Sequence, residues 1–228
     1  MDQKSELHSW EVTTAEAREL QLRLAAQINT KPPLEAYKTI AGADVSYDKR
    51  AKWLHAAVVV LHAATFEVLE RVGVLAEAKF PYVPGLLTFR EAPAVLEAFA
   101  KLSMKPDVLI CDGQGIAHPR RIGLASHLGL WLGIPTIGCA KSWFFGEFDD
   151  PGPDRGDWSP LSDQGETIGA VLRTRSRVKP VFVSSGHLCN LASAIEVVLA
   201  TSPPYRQPIT TRLAHQYVNE LRMHGAPE

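Results

Sequence analysis

The sequence predicts a single α/β domain built on a mixed β-sheet that is flanked by helices. Three segments with strand-like patterns, residues 39–47, 54–61 and 66–74, follow one another through short connections, which favours antiparallel neighbours. Further along the chain, helical and strand patterns alternate, as they do in parallel α/β units. The chain has 228 residues, of which 46% are hydrophobic and 21% charged, so it can bury one sizeable core. We therefore expect one domain over residues 1–228.

The N-terminal part is predicted to contain one helix and the three strands. Thr13 and Glu16 have the spacing of a capping box, and the helix that they start is expected to run to about Ile28. The first strand alternates, so Asp44 points away from its apolar face. That face comprises Ala41, Ala43, Val45 and Tyr47. A polar turn at residues 48–50 leads to the second strand. One face of the third strand is expected to carry Phe66, Val68, Val72 and Val74.

Residues 80–85 predict a stiff loop with Tyr82 at its tip, because Pro81 and Pro84 deny it helix and ladder hydrogen bonds. The next helix contains Pro93, which is tolerable only in a first turn, so we expect Glu91 at the helix start. The remaining predicted elements are strands at 108–111, 135–139, 167–173 and 180–184, helices at 123–131, 190–200 and about 211–223, and an irregular excursion at about 143–165. This order is that of a ribonuclease H-like mixed sheet, although many α/β folds begin or end similarly.

Composition and charge narrow the class of protein. The formal net charge of −1 gives no whole-protein attraction to nucleic acid, so any such binding must come from local patches. Residues 1–6 lack the pattern of a leader and no stretch has the apolar length of a membrane span, so we expect a cytoplasmic protein without a membrane partner. Cys111, Cys139 and Cys189 lie far apart and are odd in number, which indicates buried thiols and neither disulfides nor a zinc site.

Two predicted strands each carry a carboxylate. Asp112 ends the apolar run 108–111 and is followed by Gly113 and Gly115, and Asp44 interrupts the first strand. If these strands are neighbours, the two carboxylates can hold a hard divalent cation such as Mg²⁺, with Glu91 as a third ligand. Such a site suits phosphodiester hydrolysis.

Two further residues could take part in that chemistry. Lys141 could place a positive charge near the developing negative one, and His215 could be a ligand or a proton carrier. Taken singly, Asp112 can equally cap a loop, Lys141 is more often a surface lysine, and His215 is more often a solvated or capping residue.

Four motifs taken together resemble endonuclease V. They are Ala41-Gly42-Ala43-Asp44-Val45, then Pro81-Tyr82-Val83-Pro84-Gly85 running to Phe89-Arg90-Glu91, then Asp112-Gly113-Gln114-Gly115 with His118-Pro119-Arg120-Arg121, and Pro135-Thr136-Ile137-Gly138 with Ala140-Lys141. They occur in the family's order between about residues 40 and 215, which makes the combination far more specific than any one motif. The chain departs from the family pattern at Gln114, where His or Asn is expected, and at residues 207–210, which replace a Pro-Glu-Pro-Thr type of sequence.

The resemblance implies a ribonuclease H-like, Mg²⁺-dependent endonuclease, with Mn²⁺ able to substitute, that acts as a monomer. Its substrate would be DNA containing deoxyinosine, whose base is hypoxanthine, or other deaminated bases. The enzyme would initiate repair by nicking the second phosphodiester bond 3′ to the lesion, leaving 3′-hydroxyl and 5′-phosphate ends. The resemblance assigns Asp44, Asp112 and Glu91 as metal ligands and adds Lys141 and His215 to the catalytic site.

The same resemblance assigns Tyr82 as the wedge that fills the gap when the lesion swings out of the duplex. Prolines on both sides of Tyr82 reduce the freedom that it would lose on insertion. The candidate DNA-binding residues are Pro81, Tyr82, Val83, Pro84, His118 and Arg120, with Arg121 beside them. Gly113, Gly115 and Gly138 are expected to line the base pocket, with ordinary turn glycines as the alternative. A second basic cluster is equally compatible with phosphate contacts or a solvated face, and comprises Arg173, Arg175, Arg177 and Lys179.

Two other functions stay open at this point. One is a ribonuclease H-like nuclease of other specificity, such as a cleaver of inosine-containing RNA or a junction resolvase. The other is a non-catalytic lesion-binding or RNA-binding module, which would require at least one broken carboxylate, yet Asp44, Glu91 and Asp112 are all present. The sequence leaves open the preference for DNA or RNA, the number of metal ions, and whether Glu91 and His215 contact metal directly.

Overall fold

The structure is a computed structural model that describes residues 7–47 and 52–224. The predicted polar turn at residues 48–50 and the N-terminal residues 1–6 lie outside the described residues. In chain order the elements are α1 (Thr14–Ala25), β1 (Thr39–Ser46), β2 (Trp53–His62), β3 (Val68–Glu77), α2 (Leu87–Ala100), β4 (Val108–Cys111), α3 (Leu124–Leu132), β5 (Thr136–Ala140), β6 (Trp158–Asp163), β7 (Glu166–Leu172), β8 (Val181–His187), α4 (Leu191–Thr201) and α5 (Ile209–His224).

The strands form one mixed sheet in the order β3-β2-β1-β4-β5-β8-β7-β6. β1, β2 and β3 are antiparallel neighbours, and β4 pairs in parallel with both β1 and β5. Beyond β5, the strands β8, β7 and β6 pair antiparallel, so parallel pairing is confined to the centre of the sheet. The predicted α/β fold with a mixed sheet is confirmed.

Helices cover both faces of this sheet. On one face Ile40 and Ile110 pack in a cluster with residues of α4 and α5, and on the other face Ala41 and Leu109 pack with residues of α2 and α3. The alternation predicted for the first strand is therefore confirmed, with Asp44 on the face that α5 covers. None of the helices within the described ranges has the length and apolar character needed to cross a membrane. Helix α1 begins at the predicted capping box, in which Thr13 and Glu16 each accept from the other's backbone N–H.

The irregular excursion predicted at residues 143–165 is partly wrong, because its end forms the edge strand β6. A tight turn at Gln164 and Gly165, with φ angles of 51° and 81°, joins β6 to β7. Sequence analysis missed this hairpin because a glutamine at positive φ is uncommon, so the turn lacks the usual Asn-Gly or Asp-Gly signal.

The third strand also differs from its prediction. It begins at Val68, and Phe66 precedes it with a φ of 58° and packs on the opposite face of the sheet from Val72. Leu61 pairs with Val68 while the preceding Val60 pairs with Glu70, so a bulge shifts the register. The inferred common face for Phe66, Val68, Val72 and Val74 is therefore wrong, since one extra residue reverses the side-chain alternation.

Helix α2 begins earlier than predicted, and Pro93 lies in its interior. The additional turn carries Phe89, which packs with Phe80 and Leu86 in a small buried cluster, and this burial offsets the hydrogen bond that Pro93 cannot make. Glu91 therefore lies within the helix and not at its start.

Candidate active site

The two carboxylates predicted on neighbouring strands are brought together by the sheet register. β1 and β4 are parallel, with Ala43 opposite Cys111, so Asp44 and Asp112 follow side by side. The Asp112 N–H donates to the carbonyl oxygen of Ala43 at 3.4 Å, which continues the ladder to this point. Burial raises the pKa of Asp44, and the negative charge of Asp112 raises it further, while His215 and Lys141 oppose the rise.

Glu91 reaches the same place from helix α2. Tyr47, at the end of β1, donates from its hydroxyl to Glu91 Oε1 at 2.6 Å. Burial raises the pKa of Glu91 to about 7; the Tyr47 hydrogen bond opposes this rise, and the charges of Asp44 and Asp112 add to it. The three predicted metal ligands thus act on one another electrostatically, which requires that they lie close together.

Lys141 and His215 each bind one of the carboxylates. Lys141 directly follows β5, and its Nζ lies 2.5 Å from Asp112 Oδ2. His215, on α5, donates from Nδ1 to Asp44 Oδ2 at 2.7 Å. Asn219 Nδ2 lies 3.1 Å from His215 Nε2, so both ring nitrogens of His215 have a partner.

These residues surround a cavity of about 270 Å³, which we call the carboxylate cavity; its lining includes Asp44, Glu91, Asp112, Lys141 and His215. Each carboxylate has a different partner: His215 for Asp44, Tyr47 for Glu91 and Lys141 for Asp112. In the described part of the chain, no group of three or more His, Cys, Asp or Glu side chains is already arranged to hold a metal ion. The donor set nevertheless fits a hard divalent cation, because three carboxylates face one cavity. Burial, together with the charges of the neighbouring carboxylates, raises the pKa values of Asp44 and Glu91, and a bound cation would oppose that rise.

A second cavity of about 450 Å³ adjoins the first and shares Glu91, Asp112 and Lys141 with it. We call it the wedge cavity, because its lining includes Tyr82 and Pro84 of the predicted stiff loop 80–85. Aromatic side chains form part of its wall: Trp143 and Phe144 lie at its rim with 57% and 40% of their surfaces exposed. A planar ring could therefore enter this cavity beside the carboxylates.

Three side chains donate hydrogen bonds to the loop 80–85, and two of them, His118 and Arg120, are residues that sequence analysis predicted to contact DNA. The carbonyl oxygen of Gly85, a residue with a φ of 78°, accepts from His118 Nε2 at 3.0 Å, Arg120 Nη2 at 2.8 Å and Gln21 Nε2 at 3.1 Å. His118 is buried, and burial lowers its pKa to about 4, so it is neutral at pH 7. The structure thus places His118 and Arg120 as supports of the loop, since His118 Nε2 and Arg120 Nη2 both donate to the Gly85 carbonyl oxygen.

Other basic residues of the predicted patches also have internal partners. Arg121 forms ion pairs with Asp163 at 2.7 Å and Glu166 at 2.9 Å. Arg173 is buried and donates to three backbone carbonyls, those of Pro151, Gly152 and Val178. The structure therefore favours neither a phosphate contact nor a solvated face for Arg173, because its guanidinium links separate segments of the chain.

The three glycines expected in the base pocket lie in different environments. Gly113 lines the wedge cavity, and a Cβ added to it would meet only Leu124, at 3.6 Å. Gly115 and Gly138 do not line it. A Cβ on Gly115 would lie 2.0 Å from the carbonyl oxygen of Ser185, and one on Gly138 would lie 2.3 Å from the Gly115 nitrogen. Their role in the structure is to let β5, β8 and the loop after β4 approach closely.

Sequence analysis missed three residues that hold the site together: Tyr47, Gln21 and Asn219. Asn219 follows His215 by one helical turn, and that spacing was a usable signal. Tyr47 appeared only as a member of an apolar face, and nothing local indicates that its hydroxyl reaches Glu91.

Comparison with known proteins shows the family to which the chain belongs. A model of the Endonuclease V family matches residues 22–216. Endonuclease V of Nostoc sp. is 49% identical over 208 residues, which cover 91% of this chain and 94% of that protein. The crystal structure of endonuclease V from Streptomyces avermitilis is 45% identical, with a TM-score of 0.90 and coverage of 96% of this chain and 97% of that one. Ciona intestinalis endonuclease V, solved in complex with a 24mer DNA containing an inosine followed by a ribo-adenosine, is 26% identical with a TM-score of 0.80, and the match covers 92% and 97% of the two chains. The chain therefore belongs to the endonuclease V family, and it is a nuclease.

Proposed function

We propose that this chain is a divalent-metal-dependent endonuclease that nicks DNA containing deoxyinosine. The cut is at the second phosphodiester bond 3′ to the lesion and leaves 3′-hydroxyl and 5′-phosphate ends. The cation is Mg²⁺, for which Mn²⁺ can substitute, and the protein acts as a monomer. One observation carries the proposal: three carboxylates and a lysine surround a cavity that opens into a second, aromatic-lined cavity under a proline-bracketed tyrosine.

Asp44, Asp112 and Glu91 are the residues that would hold the metal. Enzymes of this family are in general metal-dependent. When bound, the cation supplies Lewis-acid polarisation of the phosphodiester. Lys141 keeps a positive charge 2.5 Å from Asp112, next to where negative charge develops on the phosphate. His215, hydrogen-bonded to Asp44 and Asn219, can carry a proton or complete the ligand set.

Tyr82 and its loop would open the duplex at the lesion. Extruding a base costs a few kcal/mol of stacking, and less where pairing is weak, as it is for a deaminated base. An aromatic wedge on a stiff loop can offset part of that loss. The hydrogen bonds from Gln21, His118 and Arg120 to Gly85 support this function, because a loop that is already held loses little freedom when Tyr82 inserts.

The test is end-labelled cleavage of a duplex with one deoxyinosine, mapped against a size ladder in the presence of Mg²⁺. We expect one nick at the second phosphodiester 3′ to the lesion and none in the same duplex with deoxyguanosine. Asp44→Asn and Asp112→Asn should abolish nicking while the fold is retained. The control is Asp150→Asn, because Asp150 is an exposed carboxylate that lines neither cavity. Absence of nicking with Mg²⁺ and Mn²⁺ would refute the proposal.

Inosine-containing RNA is the second candidate substrate. The observation that favours it is the ribo-adenosine that follows the inosine in the DNA bound to the Ciona protein. Three substrates of one sequence separate the candidates: inosine in DNA, inosine followed by a single ribonucleotide, and inosine in RNA. A higher single-turnover rate on the two ribose-containing substrates than on DNA would assign the chain to RNA.

A further inference from the structure

Arg206 joins three segments of the chain that are distant in sequence. It lies between α4 and α5, and its Nη2 donates to the carbonyl oxygens of Lys141 at 2.5 Å and Pro180 at 2.8 Å. Its Nε donates to the carbonyl oxygen of Lys179 at 2.8 Å. The carbonyl oxygen of Arg206 itself accepts from Thr174 Oγ1 at 2.6 Å. The guanidinium and its own backbone are therefore both held.

The position of these contacts is the end of a β-ladder. β5 and β8 pair antiparallel as far as Ala140 opposite Phe182, and Lys141 is the next residue along. Strand β8 is directly preceded by Pro180, which has no backbone N–H that could extend this ladder. The Arg206 guanidinium supplies a donor to the Lys141 carbonyl at this point, through a charge-assisted hydrogen bond, which is stronger than one between neutral groups.

Arg206 also lies just before helix α5, which carries His215. The first turn of α5 is pressed against β1, since a Cβ on Gly42 would lie 2.2 Å from the backbone carbon of Thr210. β1 in turn carries Asp44, the partner of His215. Arg206 thus links the main chain at Lys141 to the segment that directly precedes α5, the helix that carries His215.

We propose that Arg206 is a positioning residue that fixes the main chain at Lys141, so that the Lys141 ammonium stays on Asp112. Arg206 lines neither cavity, so it acts through Lys141 and not on the substrate. This inference rests on the proposed function, in which Lys141 supplies positive charge. Without the three hydrogen bonds from Arg206 to carbonyl oxygens, the end of β5 can shift, and small shifts of a catalytic group strongly lower the reaction rate.

The test is a double-mutant cycle in single-turnover nicking of the deoxyinosine duplex. Arg206→Met should lower the rate constant on the order of tenfold and leave the Kd for the duplex unchanged. In the Lys141→Met background, Arg206→Met should cause no further loss, because the group that it positions is gone. Arg206→Lys should not restore the rate, since one ammonium cannot span three carbonyls. Arg155→Met is the control: Arg155 also donates to a backbone carbonyl, that of Leu199, and lines neither cavity.

A second measurement does not depend on nicking. NMR of the Lys141 ammonium should detect slow exchange of its protons in the wild type and faster exchange in Arg206→Met and Arg206→Lys, provided that thermal unfolding shows folded variants. Unchanged exchange overturns the inference, as does an equal loss of rate in both Lys141 backgrounds, or a fall in duplex affinity that steepens with salt. If the wild type does not nick the duplex, the proposed function fails, and the exchange measurement still decides whether Arg206 holds Lys141.

Discussion

Glu91→Gln is expected to make the metal-free protein more stable while it abolishes nicking. The pKa of Glu91 in the fold is about 7, against an ordinary value of 4.5, chiefly because of burial. Between these two values the folded chain holds a proton that the unfolded chain has lost, so this group lowers stability as the pH rises from 4.5 to about 7. The full shift corresponds to about 3 kcal/mol in the free energy of unfolding.

Glutamine avoids that cost because it carries no charge, and its amide oxygen can still accept the hydrogen bond from Tyr47. The free energy of unfolding of Glu91→Gln should therefore match that of the wild type near pH 4.5 and exceed it by about 3 kcal/mol at pH 8. The assay is urea unfolding with a chelator present at several pH values, followed by nicking with Mg²⁺. Adding Mg²⁺ should stabilise the wild type more than the variant, because the cation binds the folded state through the carboxylates.

The matched control is Glu97→Gln, on the same helix α2. Glu97 is an exposed carboxylate that pairs with Lys101 across one helical turn, and such surface pairs contribute at most about 1 kcal/mol. Its variant should retain nicking and should show no pH-dependent gain in stability of the size expected for Glu91. A stability gain for Glu91→Gln that is absent, or that is the same at pH 4.5 and pH 8, would contradict the electrostatic account of the site.

Three further outcomes follow from the wedge cavity and the close-packed glycines. Tyr82→Ala should weaken binding of a deoxyinosine duplex about tenfold or more, measured by fluorescence anisotropy, because stacking of an aromatic ring is worth about 1–3 kcal/mol per base; an unchanged Kd would remove Tyr82 as the wedge. Arg120→Met should weaken the same binding without changing Mg²⁺ affinity, since it removes a donor from the Gly85 carbonyl; a parallel loss of Mg²⁺ affinity would argue against a role in the loop alone. Gly115→Ala should destabilise the fold by about 3 kcal/mol in urea, whereas Gly113→Ala, with room for a methyl group, should be nearly neutral; equal effects would contradict the packing described.

Local patterns in the sequence were sufficient for several elements of the fold. The capping box at Thr13 and Glu16 satisfies neighbouring backbone groups, and the alternation in β1 assigns Asp44 to one face, so neither needs information from distant residues. Local patterns gave the wrong strand face for Phe66 and the wrong helix start near Pro93. Burial against distant residues shifted the register of β3 in the first case and moved the start of α2 in the second.

The fold also gives some charged residues internal contacts that sequence analysis did not predict. His118 and Arg120 belong to a basic patch along the chain, yet both donate to the backbone of the loop 80–85. Gln21, which carries no recognisable signal in its own segment, completes that arrangement. A charge pattern predicts only that a residue can bind an anion or a carbonyl, and the fold decides which of these acceptors is nearest.

The sequence by itself determined the α/β class of the fold and singled out Asp44, Asp112 and Glu91 as candidate metal ligands, because acidic residues within or beside apolar segments are visible within a few positions. Only the tertiary structure decided which donor each of them meets: Lys141 for Asp112, His215 for Asp44 and Tyr47 for Glu91. The physical reason is separation along the chain. Asp44 and His215 are 171 positions apart, and such a contact arises from packing of whole elements, which leaves no local pattern to read.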